Sequence, residues 1–366
     1  MNNILKPLVI GDLEIKLPIV QGAMGIRVST FSLVAAVANC GGAGTIASVG
    51  LGFGTDENDT DFVKSSREAL RREIRQAKKL SNGVIGVNNM VALANYEDLV
   101  RTTVEEKADF IASGAGLPLK LPEYTAGSPI KLIPIISSAK AAAVMIRAWK
   151  KRYNRLPDAF IVEGPLAGGH LGFSAEELMA PGSKNLETIL AEVLEVVSSY
   201  EREMHVQIPV IAAGGIFSGK DVAEFIRRGA KGVQIASRFL TTPECDVSEI
   251  LKQKYIAATD EDILIIKSPV GMPGRVIRTT FIDRMLRGER APAKCRYRCL
   301  KTCDPATTPY CISKALYEAV RGNMDEAVVF AGSNVSRITR LASVQELMDE
   351  IVEEAGRELA LTGSRS

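Results

Sequence analysis

The segment Ile208-Pro-Val-Ile-Ala-Ala-Gly-Gly-Ile216, followed by Gly232-Val-Gln-Ile-Ala-Ser-Arg238, constrains this chain more than any other stretch. Each half is a short, nearly continuous apolar run ending in small residues. That is how a strand buried on both faces reads when its C-terminal tip must let a ligand come close. Between the two, Ser218 and Asp221 open a helix and Gly229 closes it in the usual helix-terminating position. Strand, glycine loop, helix, strand is the arrangement that ends a (β/α)8 barrel and binds phosphate through backbone N–H groups after strands seven and eight.

Comparable apolar runs at 18–22, 44–48, 85–89, 110–114, 132–137 and 159–164 join those at 209–215 and 232–237, which makes eight. Between them lie helical stretches. Residues 139–151 are Ala-rich, and Leu186, Ile189, Leu190, Val193 and Val197 share one helical face. Alternation of this kind implies parallel strands with right-handed crossovers, and eight regular units favour a closed α/β barrel over an open doubly wound sheet. The rhythm stops after Arg238. The expected organisation is a barrel over 1–240, a smaller lobe inserted after the eighth strand over 241–330, and a returning C-terminal helix within 331–366. That helix is announced by the capping box Ser343-x-x-Glu346 and an apolar stripe of Val344, Leu347, Met348, Ile351 and Val352.

Composition excludes several partners. With 366 residues, 46% hydrophobic and 24% charged, the chain has the make-up of a folded domain. A formal charge of +2 creates no overall field toward nucleic acid or a membrane surface, so a small-molecule partner is expected. The N-terminal stretch has no basic region leading into an apolar one, and no run of about 18 apolar residues occurs, so a cytoplasmic location is expected.

There are two histidines. His205 lies in the charged stretch Tyr200-Glu-Arg-Glu-Met-His205 and reads as solvated. His170 follows Glu163-Gly-Pro-Leu-Ala-Gly-Gly169 at the C-terminal end of the sixth strand, the face on which barrel enzymes do their chemistry. A positioned imidazole can remove a proton near neutral pH. The plainer alternative is a histidine that only ties down its loop. At the third strand tip, Asn88 offers an amide that donates and accepts at once, and Met24 beside Gly22 and Ala23 offers a thioether for an aromatic ring.

Gln21-Gly-Ala-Met24, Gly86-Val-Asn88, Glu163-Gly-Pro-Leu-Ala-Gly-Gly-His170, Ala212-Ala-Gly-Gly-Ile216, Gln234-Ile-Ala-Ser237 and Ala331-Gly-Ser333 together resemble the nitronate monooxygenase family, formerly called 2-nitropropane dioxygenases. The resemblance implies an FMN-binding (β/α)8 barrel that oxidises alkyl nitronates, and in some cases nitroalkanes, with O2. It implies FMN contacts at Asn88, Glu163, Gly168, Gly215, Gln234, Ile235, Ala236 and Ser237, with Gly22, Ala23, Met24, Gly169, Gly214 and Ser333 completing the cofactor set. His170 is implied as the base. Two positions depart from the family pattern: Glu163 stands where several relatives place glutamine, and Ala236-Ser237 replaces a more usual Gly-Thr pair.

The scaffold is also similar to the flavin-dependent type of enoyl-acyl-carrier-protein reductase, which keeps the Ala-Gly-Gly-His loop and uses NADH or NADPH instead of O2. Residues 275–302 carry nine basic residues against two acidic ones, a surface suited to an acidic carrier protein or a phosphorylated coenzyme. Pro165-Leu166 is closer to the nitronate group. Proteins like inosine monophosphate dehydrogenase share the phosphate cradle but need a cysteine on the sixth loop, and 164–173 contains none. A flavin- or phosphate-binding module without turnover is the remaining alternative. Finally, Cys295, Cys299, Cys303 and Cys311 could supply four thiolates to zinc or an iron–sulfur cluster, or the first three, spaced four apart, could form one face of a helix.

Overall fold

The computed structural model describes residues 5–53, 61–180, 182–292, 295 and 297–363. An antiparallel hairpin, β1 (Leu8–Ile10) and β2 (Leu13–Ile15), comes first. The first half of a barrel follows as β3 (Ile19–Gln21), α1 (Phe31–Asn39), β4 (Ala43–Ala47), α2 (Phe62–Leu80), β5 (Val84–Asn88), α3 (Tyr96–Glu105) and β6 (Phe110–Ser113). The second half is α4 (Leu121–Tyr124), β7 (Lys131–Ile136), α5 (Ala139–Tyr153), β8 (Phe160–Glu163), the short β9 (Gly169–His170), α6 (Ala175–Met179), α7 (Leu186–Met204), β10 (Val210–Ala213), α8 (Gly219–Arg227) and β11 (Gly232–Ile235). Strands β3 to β8, β10 and β11 are the eight expected from the apolar runs. They pair in parallel and close as β10-β11-β3-β4-β5-β6-β7-β8. This is the (β/α)8 architecture.

The barrel is filled from below. Leu8, Ile10 and Ile15 of the hairpin pack with Val20, Phe110, Ile133, Ile161 and Ile211, all buried, while Ala112 and Ala213 sit higher on their strands. Phe110 occupies the centre so fully that a Cβ added at Gly86 would lie 2.2 Å from its ring. On the outside, α7 buries the five residues read as its apolar stripe, and Ser218 and Asp221 form the reciprocal capping box of α8. His205 caps the C-terminus of α7 and is exposed.

Beyond β11 come α9 (Ser237–Leu240), α10 (Glu249–Ile256), β12 (Ile263–Lys267), β13 (Pro273–Ile277), α11 (Thr280–Leu286), α12 (Ile312–Arg321), β14 (Val329–Phe330) and α13 (Val344–Gly363). Strand β13 pairs with β12 along one edge, and with β14 and β9 along the other. A sheet made mostly by the excursion after β11 therefore recruits β9 from the barrel's sixth loop and lies over the mouth. Helix α13 starts at the Ser343–Glu346 capping box and packs against α1 and α8, with Leu347, Met348, Ile351 and Ala355 buried. Among the described residues no helix is long and apolar enough to cross a membrane.

Candidate active site

The C-terminal ends of the barrel strands open into a cavity of about 990 Å³. Every residue singled out from the sequence as a cofactor or catalytic candidate lines it: Gly22, Ala23, Met24, Asn88, Glu163, Gly168, Gly169, His170, Gly214, Gly215, Gln234, Ile235, Ala236, Ser237 and Ser333. The structure brings together residues from five barrel strand tips and from the loop after β14.

One side of the cavity is built of backbone. Gly214 and Gly215 follow β10 with φ of +94° and +86°, the left-handed region that glycine enters without strain. Among the described residues, the amides of Gly215, Ile216, Ala236 and Ser237 have no protein acceptor. Ser333 Oγ is buried and likewise has no partner. Around them the loops are tied: Gly332 N donates to Ser237 Oγ at 3.0 Å, Ser333 N to Leu166 O at 3.1 Å, and Asn334 Nδ2 to Gly215 O at 2.5 Å. Free amides and a free hydroxyl on three fixed loops suit the phosphate of FMN. Gly168 adds closeness, because a Cβ there would lie 2.5 Å from the Ala331 carbonyl carbon.

The sixth-strand segment beside it holds the titratable groups. His170 is fixed by its backbone, since β9 pairs with β13 and Leu171 N donates to Pro273 O at 2.9 Å. Its Nε2 shares a 2.7 Å hydrogen bond with the buried Ser268 hydroxyl, and Phe330 meets its ring edge-on at 4.9 Å between centroids. Burial pushes the imidazole down to about 4, so it is neutral at physiological pH. Burial pushes the Glu163 carboxyl in the other direction, to about 7. Arg275, on β13 and only 8% exposed, donates to the carbonyls of Pro165 (2.8 Å) and Ala167, clamping the loop that leads to the histidine. Ser268, Arg275 and Phe330 had no signal as site residues in the sequence. They reach the site only through contacts between segments far apart in the sequence.

The cysteine group departs from the metal-binding expectation. Among the described residues, no group of three or more His, Cys, Asp or Glu side chains is disposed to hold a metal ion. Local partners take up three of the four thiols. Cys295 Sγ accepts from Arg298 N at 3.4 Å, Cys299 Sγ meets Ser313 Oγ at 3.4 Å, and Cys311 Sγ caps α12 by accepting from Lys314 N at 3.5 Å. Burial raises Cys299 to about 11 and also raises Cys303, which keeps both as thiols. The segment is not the face of a helix either. It runs as a loop whose Cys299 and Leu300 pair with Ala94 and Leu93. Lys294 and Arg296 of the basic run lie outside the described residues.

A parallel barrel whose mouth combines an amide-lined anion site with a neutral imidazole is compatible with the flavin-dependent oxidoreductases built on (β/α)8 barrels. Within that class the family follows from comparison with known proteins. The model described as nitronate monooxygenase matches residues 6–109 and 94–354, and the chain belongs to this family of FMN-dependent enzymes. The chain is 30% identical over 274 residues to (3aS,4S,5R,7aS)-5-hydroxy-7a-methyl-1-oxo-octahydro-1H-indene-4-carboxyl-CoA dehydrogenase of Mycobacterium tuberculosis, spanning 75% of this chain and 66% of that protein. It is 26% identical over 298 residues to a probable nitronate monooxygenase of Staphylococcus aureus, spanning 75% and 78%. Among solved structures, FabK from Thermotoga maritima superposes with a TM-score of 0.74 at 26% identity, covering 95% of this chain and 96% of that one.

Proposed function

We propose that the protein holds FMN across the barrel mouth and oxidises alkyl nitronates with O2. The phosphate would be gripped by the amides of Gly215, Ile216, Ala236 and Ser237 and by the hydroxyl of Ser333. Asn88, Glu163 and Gln234 would meet the ring's polar edge, and Gly22, Ala23, Met24, Gly168 and Gly169 would let it lie close to backbone. When bound, FMN supplies the electron-accepting chemistry.

The observation that carries the choice of substrate is the neutral, half-buried His170. A nitronate reaches the site with its α-proton already gone, so it needs an oriented hydrogen-bonding group more than a strong base. A neutral nitroalkane would need His170 to take a carbon-bound proton, a demanding task for an imidazole whose basicity burial has lowered. His170, held by β13 and Ser268, orients the substrate and receives the proton when a nitroalkane is offered.

A second reading, reduction of an enoyl thioester by NADH or NADPH, is favoured by the shape of the cavity. Beyond the flavin cradle it extends into an apolar limb lined by Leu251, Leu300, Ile312, Leu316, Val320 and Val328, a lining that suits an acyl chain. Anaerobic mixing separates the two. Bleaching of the flavin by an alkyl nitronate but not by NADH or NADPH is expected, and rapid bleaching by either nicotinamide overturns the nitronate reading in favour of the reductase. Turnover of neutral nitroalkanes by His170→Asn should fall about 10²- to 10⁴-fold, with a smaller loss on preformed nitronates. Equal losses would remove His170 from proton transfer.

A further inference from the structure

We infer that Glu163 makes FMN binding depend on proton concentration: its carboxyl must carry a proton for the cofactor to seat, so the pocket loosens its hold on flavin as the solution turns alkaline. The inference rests on the flavin reading above, and it uses the residue at which this chain departs from the amide expected there.

Glu163 ends β8 in register with Ala213 of β10, at the lip of the barrel, and lines the cavity beside Asn88 and Gly168. Among the described residues, no hydrogen bond or ion pair engages its carboxyl. Among the described residues, the elements packed around it bring no free cation. The tips of β7 and β10 present Ile136 and Ala213. Helix α7 presents Glu192, bound to Lys184 at 2.5 Å, and α6 presents Glu177, which closes the capping box with Ser174. Arg238 is paired with Glu350 at 2.9 Å, Arg275 is spent on the Pro165 and Ala167 carbonyls, and His170 is neutral. Burial alone, with no charged neighbour contributing, raises the group to about 7.

A flavin laid over the mouth removes the water that still reaches this carboxyl. In the ionised form it would exchange hydration for at most one ring N–H, with no cation to balance its charge. In the neutral form it loses less on desolvation and carries an O–H that donates to a ring acceptor. The cofactor therefore selects the protonated site, and binding is linked to the proton.

The test is a titration of flavin-free protein with FMN, followed by quenching of flavin fluorescence, between about pH 5.5 and about 8.5. For one group titrating near 7, the Kd of the wild type should rise roughly 30-fold across that range, while E163Q, whose amide does not titrate, stays near the low-pH value. The FMN phosphate titrates near ~6 in both experiments, so the ratio of the two proteins is the readout. Parallel curves, or a wild type that tightens with pH, overturn the inference. Failure of both proteins to bind FMN at any pH overturns the flavin reading, and this inference with it. Should E163Q not fold, wild type titrated with riboflavin, which lacks the phosphate, must show the same roughly 30-fold loss. A flat riboflavin curve overturns the proposal.

Discussion

Three partly buried carboxyl groups stand along this barrel, two at its floor and one at its mouth, and they are treated differently. At the floor, Asp109 accepts from Ile85 N at 2.7 Å, and Asp158 accepts from Leu132 N at 2.7 Å and pairs with Arg155 at 2.6 Å. Burial raises both, while amides and neighbouring cations pull them back. At the mouth, Glu163 is raised by burial with nothing opposing it. The same division holds for other groups. The floor is sealed by Leu8, Ile10 and Ile15 over Phe110, whereas the mouth keeps an unpartnered Ser333 hydroxyl and free loop amides. The two floor carboxylates are satisfied by the fold. Polar groups left unsatisfied in a cavity are available to something that enters it.

If floor and mouth are separable in this way, damage to one should be read out differently from damage to the other. The largest effect is expected below. Phe110→Ala empties the barrel centre and should cost about 3–5 kcal/mol of stability, measured by denaturant unfolding, with flavin content per folded molecule unchanged. Loss of flavin under conditions where the variant is still folded would break the comparison.

Acid should next expose the mouth. The unfolded chain protonates His170 below about 6.5, whereas the folded one resists until about 4. Stability contributed by the neutral ring is therefore lost as pH falls through that window, to a total of about 3 kcal/mol. Glu163 acts with the opposite sign: its burial cost is absent below about 4.5 and complete above about 7. The measurement is the difference in unfolding free energy between wild type and His170→Asn from pH 7 to 4, in which Glu163 and the floor carboxylates cancel. A difference that does not change with pH would show the imidazole to be less buried than the structure has it. The smallest effect belongs to the scaffold beside the mouth. Ser218→Ala removes the cap of α8 and should cost about 1 kcal/mol of stability while leaving the Kd for FMN unchanged. A large change in that Kd would mean that the helix start itself holds the phosphate.

The barrel was legible because strands buried on both faces read as unbroken apolar runs, and the glycine tips at 214–215 and 168–169 marked which end faces a ligand. The hairpin Leu8–Ile10 and Leu13–Ile15 was not, since three-residue strands give too short a pattern to distinguish from loop. The surroundings of His170 were invisible for a different reason. Ser268 and Phe330 meet the imidazole through β13 and β14, and nothing local in either segment announces that contact. The cysteines are the converse case: their spacing is compatible with a metal, but spacing says nothing about where thiols point, and here three of them hydrogen-bond to Arg298, Ser313 and Lys314.

The pairing of β9 with β13 has a bearing on how such a protein changes its chemistry over time. The strand that steadies the imidazole and the helices that shape the apolar limb belong to one continuous stretch of chain outside the eight-fold repeat. Mutational drift in that stretch can remodel what the enzyme accepts while the cofactor's cradle stays as it is. Deleting the stretch outright would also unfasten the imidazole. The contacts that steady the imidazole and the lining of the apolar limb are thus carried by a single module.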